Sequence, residues 1–169
     1  MSGGDWIAIV PRPTAGATAE VERHPALAAA DAKGRWAPLT APRTVAALGE
    51  TFRLDLLPYL LVREGDHVLG AVSLALHGDD LALLGLADQP ALGSPHAVAA
   101  WLDAAVDVGR EIGRRRIVAP VTNADPQALF YLQAAGFTLT GVTAIGGPPR
   151  TGLAGIAATH EFVLERPIA

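Results

Sequence analysis

Few side chains in this sequence could do chemistry, and their spacing narrows the choice further. There is no cysteine, which removes disulfides, thiolate metal sites and a covalent cysteine intermediate. His24, His67, His77 and His160 are scattered without the spacing of metal ligands, so no metal site is expected. His77-Gly78-Asp79-Asp80 reads as a polar turn. Glu161 stands in His160-Glu161-Phe162-Val163-Leu164-Glu165, which alternates with the period of a strand, so it shares a face with Val163. A carboxylate there either sits at the wet edge of a sheet or lines a cleft, and in a cleft it is a candidate general base. Gly146-Gly147-Pro148-Pro149-Arg150 is glycine-rich but lacks the strand-to-helix context of a phosphate loop. Arg114-Arg115-Arg116 is the one basic cluster and reads as charge at a helix C-terminus.

The elements that would position these groups can be read from hydrophobic period. Trp6–Val10 is a first strand, stopped by Pro11 and Pro13. Residues 14–43 fit a short helix or an irregular cover. Val45, Leu48 and Phe52 recur at helical spacing, which predicts a helix over Thr44–Leu56, ended by Pro58. The period then changes to that of strands. Leu60–Arg63, His67–Leu76 and Leu81–Ala87 are joined by the turns Glu64-Gly65-Asp66 and Gly78-Asp79-Asp80, giving an antiparallel meander. Ser94-Pro95 opens a helix whose inner face is Val98, Trp101, Leu102, Ala105, Val108 and Ile112, with Gly113 as its C-cap. Arg116–Val121 is a buried strand. Asn123 or Asp125 caps a helix with Pro126 in its first turn, ending at Gly136. Phe137–Val142 and His160–Glu165 are closing strands, separated by a loop over Gly146–Gly155.

Composition bounds the class. The 169 residues are half apolar and carry a net charge of −4, which fits one folded domain and excludes disorder over most of the chain. The apolar runs, such as Leu56–Val62, are far short of a membrane span. No basic segment followed by an apolar one opens the sequence, so a cytoplasmic protein without a signal peptide is expected. The mild acidity gives no footprint for nucleic acid. Twelve arginines against the single Lys33 read as the codon bias of a GC-rich bacterium. Apolar outer strands and Trp36 leave room for a homodimer.

Leu86–Phe137 resembles the GNAT superfamily of acyl-CoA-dependent N-acetyltransferases. The match is strongest over Thr122-Asn123-Ala124-Asp125-Pro126-Gln127-Ala128-Leu129-Phe130-Tyr131-Leu132-Gln133-Ala134-Ala135-Gly136-Phe137, a strand, an Asn, a short helix with an aromatic pair and Gly-Phe. The ending from Gly155-Ile156 to Glu165 looks like the final strand of one bacterial branch. With the order of the flanking elements, the resemblance covers residues 45–166. It implies a single α/β domain over 1–169, with 1–43 its weakest part. The central sheet would be mostly antiparallel, of about six to seven strands with about four helices. Its parallel pair, Leu81–Ala87 and Arg116–Val121, would be splayed.

The resemblance further implies acetyl-CoA as co-substrate, held in the splay, with direct transfer to an amine of a small molecule or peptide. Ala87 and Asp88 would stand where the pantetheine arm pairs, with backbone amides near Asp88 at the thioester carbonyl. The family's loop before the long helix carries Arg or Gln and then Gly-x-Gly. Here those positions hold Gly93, His96 and Val98. Gly93, Ser94 and the amides of His96, Ala97 and Val98 could still bind pyrophosphate at the helix N-terminus, or Ser-Pro is an ordinary helix start. Asn123 and Phe130 are carried over as cofactor-binding positions. Three candidates remain for proton transfer. Asp88 could be a base or a turn residue. Glu161 is a further base. Tyr131 adjoins Leu132, which occupies the family's tyrosine position, and one residue is about 100° of helix rotation. Arg150 could meet an anionic group of the acceptor. Two other readings stand beside an enzyme: a GNAT-like binding module that has lost catalysis, and an unrelated α/β domain, which an unsplayed strand pair would favour.

Overall fold

The computed structural model describes residues 12–13, 20–24, 44–64, 67–85, 95–124, 126–146, 150–151 and 155–168. The strands are β1 (Arg12–Pro13), β2 (Glu20–His24), β3 (Thr44–Ala47), β4 (Glu50–Arg53), β5 (Tyr59–Glu64), β6 (His67–His77), β7 (Asp80–Leu84) and β8 (Arg116–Thr122), then β9 (Thr138–Ala144), β10 (Arg150–Thr151), β11 (Ala157–Ala158) and β12 (His160–Pro167). The helices are α1 (Pro95–Glu111) and α2 (Pro126–Ala134), with a 3-10 turn at Leu54–Leu56. The main sheet runs β1-β2-β5-β6-β7-β8-β12-β9. Seven of its strands have five residues or more, and two-residue β1 lies at the edge. Every neighbouring pair is antiparallel except β7 and β8. This is the mixed α/β sheet expected. The helix count is lower than the four expected, with two α-helices among the described residues. No helix there is long and apolar enough to cross a membrane.

Strand alternation divides the core between two faces. On one face Leu74, Leu83, Ile117 and Leu164 pack against Trp101 and Val108 of α1 and Leu132 of α2. On the other, Ala82, Leu84 and Val118 pack against Val45 and Ala47 of the β3–β4 hairpin and Leu54 of the 3-10 turn. Both helices end as their glycines require. Gly113 and Gly136 have φ of +72° and +92°, and Arg114 N–H and Phe137 N–H bond back to Gly109 and Leu132 carbonyls.

The predicted helix over Thr44–Leu56 is a correction: these residues form a hairpin and a 3-10 turn. Leu48 and Gly49 both have positive φ, 55° and 76°, and the register pairs Ala47 with Glu50 around them. A two-residue loop with both centres left-handed matches strand twist. Val45 and Ala47 then bury together with period two, a pattern that Val45, Leu48 and Phe52 disguised as a helical stripe.

The helix or irregular cover expected for residues 14–43 is corrected at Glu20–His24, which is strand β2, paired with β5. Its Arg23 is 1 % exposed. Arg23 Nη1 and Nη2 donate to the two oxygens of Glu111 at 2.6 and 3.0 Å, a bidentate pair that lets a guanidinium sit in a core face. The expected strand Trp6–Val10 lies outside the described residues. So do Leu86 and Ala87, the last two residues of the expected strand Leu81–Ala87.

Candidate functional site

The parallel pair is where the sheet opens. β7 and β8 are joined only at Asp80↔Arg116, Leu81↔Ile117 and Ala82↔Val118. Yet β7 runs on to Leu84, paired with Ser73 of β6, and β8 runs on to Thr122, paired with Glu161 of β12. The two strands therefore part after the third pair, each held by its outer neighbour.

The sequence accounts for both ends of this gap. At the closed end Arg116 Nε and Nη2 donate to the two oxygens of Asp80, each at 3.1 Å, and Nη1 donates to Glu165 at 3.0 Å. Those hydrogen bonds and charges push the Arg116 guanidinium further up. Arg115 N–H also bonds the Asp79 carbonyl. At the open end Gly85, with φ +81°, turns the chain out of β7. Pro120 supplies β8 with no N–H. The basic cluster thus does more than decorate a helix end, because its third arginine begins β8.

Helix α1 runs from the open end to the closed end, about 25 Å for its 17 residues. Its first turn includes His96, Ala97 and Val98. Ala87, Asp88, Gly93 and Ser94 fall outside the described residues.

Glu161 lies at the same end of the sheet, on β12, opposite Thr122, the last residue of β8. β12 is an interior strand between β8 and β9, so the wet-edge option is set aside. Glu161 is half-buried, opposite Thr122 and Thr143, on the face that carries Val163 and the β3–β4 hairpin. The Leu48 N–H donates to its carboxylate at 3.2 and 3.3 Å. Burial pushes the Glu161 carboxyl above its ordinary value, and the Leu48 N–H pulls it partly back.

The other predicted residues are distributed as follows. Asn123 Oδ1 accepts from the N–H of Thr159 and of His160, each at 2.9 Å, and Nδ2 donates to the Ala157 carbonyl at 3.1 Å. It clasps the end of β8 to residues 157–160. Leu132 is buried at 2 % exposure, while Tyr131 packs partly against the same core. Phe130 is 68 % exposed and meets the Tyr131 ring edge-on, with centroids 5.6 Å apart. Leucine at the resemblance's tyrosine position thus faces inward, and Tyr131 stands beside it. Arg150 belongs to β10, opposite Ala158. Among the described residues no three histidines or carboxylates gather as metal ligands. Sequence reasoning missed Leu48, whose main chain rather than side chain reaches Glu161. Gly49, directly after Leu48, was the one local signal of a turn there.

No protein-family model matches the sequence, and no curated protein matches it. Solved structures do match. An IAA acetyltransferase from Bacillus cereus superposes with a TM-score of 0.57 at 15% identity, covering 88% of this chain and 99% of that one. An acetyltransferase from Bacillus subtilis in complex with CoA gives 0.51 at 12% identity, covering 84% and 88%. A nourseothricin acetyltransferase gives 0.52 at 19% identity, covering 76% and 84%. Together with a mixed sheet that opens at its one parallel pair, these likenesses establish that the chain has the fold of the GNAT acetyltransferases.

Proposed function

We propose that this chain is an acetyl-CoA-dependent N-acetyltransferase acting on an amine of a small molecule or peptide. The observation that carries the reading is the parting of β7 and β8 after Ala82 and Val118, with the half-buried Glu161 carboxylate on the next strand, opposite the last residue of β8. The gap suits a pantetheine arm, because it borders extended backbone that no adjacent strand occupies beyond the third pair. The first-turn amides of α1 suit the pyrophosphate. Ala87, Asp88, Gly93 and Ser94 remain proposed cofactor-binding positions on the strength of the family resemblance. The neighbour solved with CoA supports this choice of co-substrate.

An alkyl amine is protonated at neutral pH, with a pKa near about 10.4 for a lysine-like group. It must lose a proton before it attacks. Glu161 is assigned as the base, since burial has moved its carboxyl toward the pH at which a base works best. The neutral nitrogen attacks the thioester carbonyl, its C–N bond replacing the C–S bond, and the second proton lost from nitrogen ends on the departing sulfur, which leaves as the free thiol of CoA. The absence of cysteine removes a cysteine acyl-enzyme, and direct transfer is the reading adopted. Tyr131 and Asp88 are assigned no step.

A second reading, a GNAT-like binding module without turnover, draws on the inward-facing Leu132. Acetyl-CoA titration combined with an amine panel separates the two. The enzyme reading expects binding and release of CoA thiol with at least one amine, and no thermal shift at millimolar acetyl-CoA sinks it. Binding without thiol release across the panel supports the module.

A further inference from the structure

Beside the open end of β8 lies a contact between parts of the chain 113 residues apart, the Leu48 main chain and the Glu161 carboxylate. The N–H lies almost equally far from the two oxygens, 3.2 and 3.3 Å. A donor centred in this way fixes the plane of the carboxylate as well as its place. Leu48 can do this because of its turn. In a two-residue hairpin loop the first loop residue has no ladder partner for its N–H, so that group is available to another strand.

Leu48 holds a φ of 55°, the one positive value at a non-glycine residue among those described. Left-handed backbone disfavours an L side chain, and such strain persists only where the surroundings enforce it. Here the Leu48 side chain packs on the cluster of Val45, Leu54 and Leu84, the last of them at the edge of the gap. One residue thus supplies strain, packing and the donor.

We infer that the tip of the β3–β4 hairpin is a positioning element, with the Leu48 N–H holding the Glu161 carboxylate at the open end of the gap and the Leu48 side chain walling its acceptor side. Its catalytic consequence rests on the reading of Glu161 as the base, whereas the contact itself does not. Among the described residues, the partners of Glu161 are uncharged and the charges on the hairpin have partners of their own. β8 and β9 present Thr122 and Thr143 across the ladders. On the hairpin, Glu50 contacts His77 and Arg53 contacts Asp55.

The test is a pH titration of isotope-labelled full-length protein by NMR, following the Leu48 amide and the Glu161 carboxyl carbon. Both are expected to titrate with one midpoint, above the ordinary glutamate value, and Glu161→Gln should abolish the Leu48 titration while leaving other hairpin amides in place. A flat Leu48 amide, or one that still titrates in Glu161→Gln, overturns the inference. In a second arm the Ala47–Leu48 peptide bond is replaced by an ester, which removes the N–H and keeps the leucine side chain. The carboxyl midpoint should rise, and the acid limb of kcat/KM should move up with it. If neither moves, the positioning role is overturned. If the midpoint rises and the limb stays, the contact stands and the assignment of Glu161 as base falls.

Discussion

Alanine at Gly85 and at Gly113 should impose the same backbone penalty with different consequences for binding. Both glycines hold left-handed backbone, φ +81° and +72°. Neither substitution meets a wall. A Cβ on Gly85 would touch only Leu54 Cδ1 at 3.6 Å, an ordinary contact, and one on Gly113 would meet nothing within 4 Å. The cost is therefore conformational, about 1–2 kcal/mol for a left-handed L residue. For a chain of this length that lowers Tm by about 2–8 °C. The sites differ in place. Gly113 follows α1 at the closed end, beside the Arg116–Asp80 pair, while Gly85 is the exit of β7 at the open end. Relaxation at Gly85 shifts the border of the gap, so about 1.4 kcal/mol of strain released there weakens acetyl-CoA binding about tenfold. Gly113→Ala should leave affinity within about twofold. Denaturant unfolding and calorimetric titration of both variants check this. Equal affinities in the two variants at equal loss of stability would refute the placing of the cofactor in the gap. An unchanged Tm in Gly113→Ala would refute the strain argument.

Other expectations follow from the same geometry. Leu132→Ala should destabilise by about 2–5 kcal/mol, as a core truncation. Phe130→Ser, at an exposed site, should stay within about 0.5 kcal/mol of the parent and yet reduce acetyl-CoA affinity, as unfolding and titration experiments would show. Asn123→Ala removes the clasp on residues 157–160, costing about 1–3 kcal/mol, and hydrogen exchange at Thr159 and His160 should accelerate. Glu161 has a folded pKa above its unfolded one. Its contribution to stability is thus complete below the ordinary glutamate range and is lost as pH rises through the folded value. The stability of the parent relative to Glu161→Gln should accordingly fall as pH rises from acid toward neutrality, and denaturant midpoints across that range measure it.

The sequence disclosed what local rules control. The meander from Leu60 to Leu84, the Ser94-Pro95 helix, the glycine stops at Gly113 and Gly136, and the alternating strand at His160–Glu165 all carry capping, turn or period signals. What it concealed depends on distant partners. Glu20–His24 reads as too polar for an inner strand because Arg23 is neutralised by Glu111, 88 residues away. Thr44–Arg53 carries apolar residues that satisfy both periods, and the left-handed pair Leu48-Gly49 decides between them. Glu161 was legible as a strand carboxylate. Its placement opposite the open end of β8, under a main-chain donor from another element, depends on strand order, and no local rule encodes that.

The proposed function requires that the opening between β7 and β8 takes up acetyl-CoA for transfer to an amine. Its most direct measurement is calorimetric titration of the full-length protein with acetyl-CoA, repeated on Gly85→Ala. Saturable one-site binding is expected, with a Tm raised by the equivalent of about 2.7 kcal/mol at a hundredfold excess over Kd and clear weakening in the variant. The absence of binding at millimolar acetyl-CoA would contradict it.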